Sequence, residues 1–262
     1  MKILIAGLPK SGTTALFFKI KDSLSKDFRL LFEPKEYQEE KNPNVLAKIL
    51  IDPYVKINTK SFSNFDKKIV ILRDPRDKMV SHFLYSFYHK PFFNNPQFIK
   101  KIIQLLQKKE KNPDSVSFRE LLDVRGKFIS PYYSPTKEEN YYDYYDKFIE
   151  ENKDFFIVRY EDIVENKLTQ LENYLGFNLN KVTQVDKSLK RVERTKARGD
   201  WKNWFTNEDV RYFKPVFEKF MRKYGYWDDW TTNVKKIIPS EFGSGYVKRI
   251  VNEAISKESK SV

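Results

Sequence analysis

The segment Gly7-Leu8-Pro9-Lys10-Ser11-Gly12-Thr13-Thr14 has the composition of a loop that cradles an anion. Its glycines let backbone N–H groups come close to a ligand, its hydroxyls add donors, and Lys10 adds a positive charge. A Walker A loop has two glycines with four residues between them, then Lys and Ser or Thr; Gly7 and Gly12 fit, but Thr13 stands where that Lys belongs and the lysine lies inside the loop. The plain alternative is a glycine turn that closes a strand–helix unit. Position and composition both favour an anion. A second group of interest is Arg73. The run Lys68–Leu72 reads as a buried strand that feeds a helix with Asp74 as N-cap and Pro75 at its first position. Arg73 then stands at the carboxyl end of a strand, the edge at which open parallel sheets bind ligands. A guanidinium there either grips a phosphate with two parallel hydrogen bonds or pairs with Asp74 or Asp77.

Short apolar runs and helical patterns alternate through the first part of the chain, and these elements must position both groups. We read strands at Lys2–Ala6, Phe28–Phe32, Tyr54–Ile57 and Lys68–Leu72, with helices at Thr14–Leu24, Val45–Leu50 and from Pro75. Residues 92–152 lose the strand signal and carry helices at Gln97–Lys109 and Asn140–Glu151, so they read as a helical insertion over the sheet. A fifth strand, Asp154–Val158, leads to a helix at Asp162–Leu175 that Gly176 ends in a left-handed cap. The stretch Lys187–Arg198 looks like a mobile basic loop, and a helix returns at Asn207–Tyr224. The expected fold is α/β, a parallel sheet of about five strands flanked by helices in the manner of P-loop NTPases. The expected domain is 1–230, followed by a basic tail at 231–262.

Composition narrows the chemistry. The 262 residues are 40% hydrophobic and 16% aromatic, enough for a large core and against disorder. The 49 Lys and Arg exceed the 36 Asp and Glu by 13, which favours anionic ligands. With no cysteine and two histidines, thiolate metal sites and disulfides are excluded, and we expect no metal. The N-terminal apolar stretch is too short for a signal peptide or a membrane span, so a cytoplasmic location is expected.

Pro9 to Thr14, Pro-Lys-Ser-Gly-Thr-Thr, resembles the 5′-phosphosulfate loop of the sulfotransferases that use 3′-phosphoadenosine 5′-phosphosulfate (PAPS). The resemblance implies that Lys10, Ser11, Gly12, Thr13 and Thr14 surround the 5′-phosphate and the sulfuryl group, with Lys10 stabilising the charge that grows on the leaving oxygen. It implies that Arg73 and Ser81, eight residues apart as in the family, hold the 3′-phosphate. Arg159-Tyr160-Glu161-Asp162 matches the family's Arg-Tyr-Glu-Asp and assigns Tyr160 to the adenine. Arg194 to Thr206 resembles Arg-Lys-Gly-x-x-Gly-Asp-Trp-Lys-Asn-His-Phe-Thr, which places Arg194, Thr195 and Lys196 at the 3′-phosphate, although Thr195 and Lys196 replace Lys-Gly. Ala15 stands where the family has an aromatic that packs on adenine. The likeness spans about Lys2 to Tyr226, without the 92–152 insertion.

Transfer to a hydroxyl needs a base, and the histidine that cytosolic relatives carry after the third strand is missing. Three candidates remain open. Glu33 follows the second strand, as a glutamate does in other branches of the superfamily; Lys60 lies in the turn Asn58-Thr59-Lys60; His82 adjoins Ser81. The reading is a sulfotransferase that moves a sulfuryl group from PAPS to a hydroxyl or amine of a small molecule or saccharide and releases 3′-phosphoadenosine 5′-phosphate (PAP). A P-loop kinase is the nearest rival, but ATP has no 3′-phosphate for Arg73 and Ser81 to hold. A polyanion or nucleic-acid binder without catalysis would explain the charge but not the loop, so no nucleic-acid partner is expected. A fold relative that has lost activity is a further alternative.

Overall fold

The structure, a computed structural model, describes residues 1–39, 44–128, 134–180 and 185–260. In chain order the elements are β1 (Lys2–Gly7), α1 (Thr13–Lys21), β2 (Arg29–Phe32), β3 (Val45–Leu50), β4 (Lys67–Leu72), α2 (Pro75–Ser86), α3 (Lys90–Phe93), α4 (Pro96–Lys111), α5 (Phe118–Phe128), α6 (Pro135–Glu151), β5 (Phe156–Arg159), α7 (Tyr160–Val164), α8 (Thr169–Leu175), α9 (Trp201–Trp204), α10 (Asn207–Tyr224) and α11 (Ser244–Glu258). They fall into two compact units, one of Met1–Arg73 and Tyr141–Lys190, the other of Asp74–Asn140 and Arg191–Val262.

The first unit holds the sheet. Its five strands are all parallel, in the order β2-β3-β1-β4-β5, so the α/β expectation and the strand number both hold. The third strand, however, is Val45–Leu50 and not Tyr54–Ile57. An inner parallel strand is covered on both faces and lacks the alternation of a half-exposed one; Val45–Leu50 is apolar but for Lys48, and its six residues are too few for the expected helix. Tyr54–Ile57 alternates like a strand but lies in an exposed turn, with Tyr54 79% exposed. Gly7 pairs with Leu50 on one side and Ile71 on the other, which aligns the carboxyl ends of β1, β3 and β4. Beneath that edge Ile3, Ile5, Leu16, Ile20, Leu46, Ile69 and Ile71 form a fully buried core. Each such side chain contributes on the order of 1.5–3 kcal/mol of hydrophobic stabilisation, and together they make the edge a firm platform. The predicted helix Asp162–Leu175 is two helices, α7 and α8, because Asn166 between them takes a left-handed φ of 56°. Gly176, at φ 84°, caps α8 as expected.

The second unit is helical. Thr206 and Asp209 form a reciprocal capping box that opens α10 at the predicted residue, and Asp209 also accepts Phe118 N at 2.8 Å and Arg119 N at 2.9 Å, fixing the start of α5. Rings of Phe83, Phe118, Phe205 and Phe213 pack around that junction. Beyond Trp230 the chain forms α11, which buries Tyr246, Val247, Ile250 and Val251, while Glu110 of α4 accepts from Ser244 at its start. Among the described residues no helix is long and apolar enough to cross a membrane.

Candidate active site at the carboxyl edge of the sheet

The loop after β1 is wound tightly. Ser11 N donates to Leu8 O at 3.1 Å, and a Cβ on Gly7 would stand 2.7 Å from Ser11 Oγ and 2.8 Å from Thr13 Cγ2, so only glycine fits beneath it. Lys10 at φ 68° and Gly12 at φ 102° are both left-handed, the kind of backbone from which anion-binding loops are built. Gly12 also caps α1 without a side-chain hydrogen bond, and the first turn of α1 carries no acidic residue. Neither the cap residue nor an acidic side chain of the first turn therefore offsets the positive helix end.

Arg73 reaches this loop from the end of β4. Its Nη1 donates to Lys10 O at 2.8 Å and its guanidinium lies 4.1 Å from the centre of the Tyr160 ring. The same ring abuts Gly12, where any Cβ would collide with it. Lys10, Gly12, Arg73 and Tyr160 are therefore one cluster. Arg73 Nε and Ser11 Oγ are buried and have no hydrogen-bond partner. Buried donors left so are costly, at about 1–3 kcal/mol each, unless a ligand satisfies them. Two such donors beside the loop suit a ligand that carries more than one phosphate or sulfate group.

Glu33 follows β2 on the same edge, in a left-handed conformation with φ 58°. Its carboxylate forms an ion pair with Lys48 of β3, whose Nζ also donates to Thr14 Oγ1 at 3.2 Å. Lys48 is 2% exposed, and burial pushes its ammonium below the ordinary lysine value while Glu33 pulls it back up. Sequence reasoning missed Lys48, although a single cation within Val-Leu-Ala-Lys-Ile-Leu was a usable signal. Lys60 was sought in the turn after the third strand; since that strand is Val45–Leu50, Lys60 lies well beyond it, exposed on a 3-10 turn at Thr59–Phe62. Of the four described non-glycine residues with positive φ, three, Lys10, Glu33 and Lys196, are candidates named from sequence, which suits residues held in strained backbone for function.

In the second unit, Ser81 is buried in α2, with half-buried His82 next to it. Lys187–Arg198 is not a free loop. It begins with a 3-10 turn, and the Arg194 side chain is 4% exposed and bonded to Asp200 at 2.7 Å. Thr195 Oγ1 accepts Ala197 N at 3.3 Å, and exposed Lys196 pairs with Glu193 at 2.8 Å.

The fold has a counterpart among solved structures. Mouse sulfotransferase SULT7A1, complexed with PAP, matches 84% of this chain over 84% of its own, with a TM-score of 0.52 and 20% sequence identity. At that identity the likeness is one of fold, and the chain has the fold of a sulfotransferase. No protein-family model and no curated protein matches the sequence.

Proposed function

We propose that this chain is a sulfotransferase that takes the sulfuryl group of PAPS and places it on a hydroxyl or amine of a small molecule or saccharide, in the cytoplasm. The observation that carries the reading is the pair of buried, unpartnered donors, Ser11 Oγ and Arg73 Nε, in the cluster built on the Lys10 turn. The fold shared with a protein that binds PAP supports it.

PAPS supplies an activated sulfuryl group whose leaving oxygen gains charge as the acceptor bond forms. Toward that charge the chain offers the Lys10 ammonium and the N–H groups at the start of α1, donors that need no reorganisation during reaction. Ser11, Thr13 and Thr14 would complete the grip on the 5′-phosphate. Arg73 would give its Nε edge to the 3′-phosphate, with its Nη1 already committed to Lys10 O. By the family resemblance Ser81, Arg194, Thr195 and Lys196 would act at that same phosphate, and Tyr160 at the adenine. Glu33 is our choice for the base: its carboxylate would take the acceptor's proton, and Lys48 would hold it in place.

Calorimetric titration with PAP, with ATP and Mg²⁺, and with a short oligonucleotide tests the reading. Wild-type protein should prefer PAP. Arg73→Ala and Lys10→Ala should each lower its affinity about 10- to 100-fold, as expected for a lost charge-assisted hydrogen bond of about 1.5–3 kcal/mol. A preference for ATP would favour a kinase, and a preference for the oligonucleotide a polyanion binder.

A further inference from the structure

Asp77, in the first turn of α2, is 1% exposed, yet it does not cap its own helix. Its Oδ2 accepts Gly199 N at 2.6 Å and its Oδ1 accepts Trp201 N at 2.9 Å, so one carboxylate grips both flanks of Asp200. Asp200 in turn bonds Arg194 Nη1 at 2.7 Å and accepts Trp204 Nε1 at 3.1 Å. Arg76, one residue before Asp77, adds to the grip: its guanidinium lies 3.9 Å from the Trp201 ring and is itself tied to Asp74 at 2.6 Å. What the Gly199–Trp201 turn presents is Arg194, whose Nε is buried and has no hydrogen-bond partner. A carboxylate that served stability alone would need nothing at the end of this chain of bonds; here the chain ends on a guanidinium with one edge uncommitted.

We infer that Asp77 is a positioning residue for phosphate recognition: by fixing the Gly199–Trp201 turn it sets Asp200, and through Asp200 it holds Arg194 with its Nε edge ready for the 3′-phosphate. The inference rests on the sulfotransferase reading, because that reading assigns Arg194 to this phosphate. It goes further in placing the control of that arginine on α2, one helical turn from Ser81. Asparagine in place of Asp77 keeps the size and one acceptor but turns the other oxygen into a donor facing an N–H, so one of the two bonds is lost.

The test compares the affinities of PAP and adenosine 5′-monophosphate, which differ by the 3′-phosphate, for wild type, Asp77→Asn, Arg194→Ala and the double variant. Thermal midpoints report folding. Asp77→Asn should weaken PAP about 10- to 100-fold and leave the monophosphate within about twofold, and the double variant should be no weaker than Arg194→Ala alone, since both changes remove one interaction. If Asp77→Asn does not fold, Asp77→Glu, which keeps both acceptors but moves them by a methylene, should lose at least about fivefold for PAP only. Undiminished preference for PAP in the Asp77 variant, or effects of Asp77 and Arg194 that add, would overturn the inference while leaving the sulfotransferase reading intact. A wild-type protein with no preference for PAP over the monophosphate would overturn that reading and the inference with it.

Discussion

Lys109 is fully buried in α4, where its Nζ donates to Pro113 O at 2.7 Å and to Val116 O at 2.5 Å. Burial pushes its ammonium down from 10.5 to about 8, with Asp209 opposing the shift. The folded protein therefore gives up this proton near pH 8 and the unfolded chain near pH 10.5. Between those values the unfolded chain binds more protons, so the stability due to this group rises with pH; it is complete above 10.5 and lost as pH falls through 8. A shift of 2.5 units, at 1.36 kcal/mol each, amounts to about 3 kcal/mol, of which about 2.5 kcal/mol falls between pH 7 and pH 10. Other lysines and tyrosines titrate there too, so the measurement is a difference. Urea unfolding of wild type and Lys109→Met across pH 7–10 gives two stability curves, and subtracting them isolates the amine. Losing the two hydrogen bonds offsets the variant by a constant and leaves the slope unchanged. Wild type should gain about 2.5 kcal/mol on the variant across that range. A difference that stays flat within about 0.5 kcal/mol would mean that Lys109 titrates at its ordinary value in the fold, and the argument from burial would fail.

Two further outcomes concern the site itself. Gly12→Ala combines a left-handed φ of 102° with a Cβ that strikes the Tyr160 ring. It should cost at least about 2 kcal/mol in urea unfolding and abolish measurable PAP binding, whereas wild-type stability would show that the ring moves aside freely. Glu33→Gln should keep PAP affinity within about threefold, because the group lies on the acceptor's side of the transfer, while slowing transfer to any acceptor that turns over by about 10²- to 10⁴-fold; an undiminished rate would remove Glu33 as the base.

The features legible in the sequence were those that depend on neighbours along the chain. The loop from Gly7 to Thr14, the Asp74-Pro75 start of α2, the Gly176 cap and both ends of α10 each rest on local backbone chemistry, and each stands where it was read. The third strand was lost because β3 lies between β1 and β2, buried on both faces, and the alternation that marks a strand is absent there. Losing it moved the search for a base to Lys60 and hid Lys48, which belongs to that strand. The basic stretch from Lys187 to Arg198 looked mobile because its partners are remote in sequence: Asp77 holds the turn after it, and Tyr246 donates to Arg191 O at 2.8 Å. None of these three bonds has a local signature.

The cluster around Tyr160 helps to hold the loop from Gly7 to Thr14 in one shape. The ring fills the space over Gly12, so that glycine cannot gain a side chain without striking it. Arg73 stacks on the same ring and ties Lys10 O, which fixes one of the left-handed residues of the loop. Three strand ends, those of β1, β4 and β5, thus order one another through a tyrosine, an arginine and a backbone carbonyl. The arrangement spends little of Arg73 in doing so, since Nε stays uncommitted. If the proposed anion binds at this edge, it would meet groups already held in place, and affinity that would otherwise be lost in ordering them would be kept for the ligand. By this account Tyr160 acts first on Gly12 and Arg73, the groups proposed to meet phosphate, and an adenine contact would come in addition to that role.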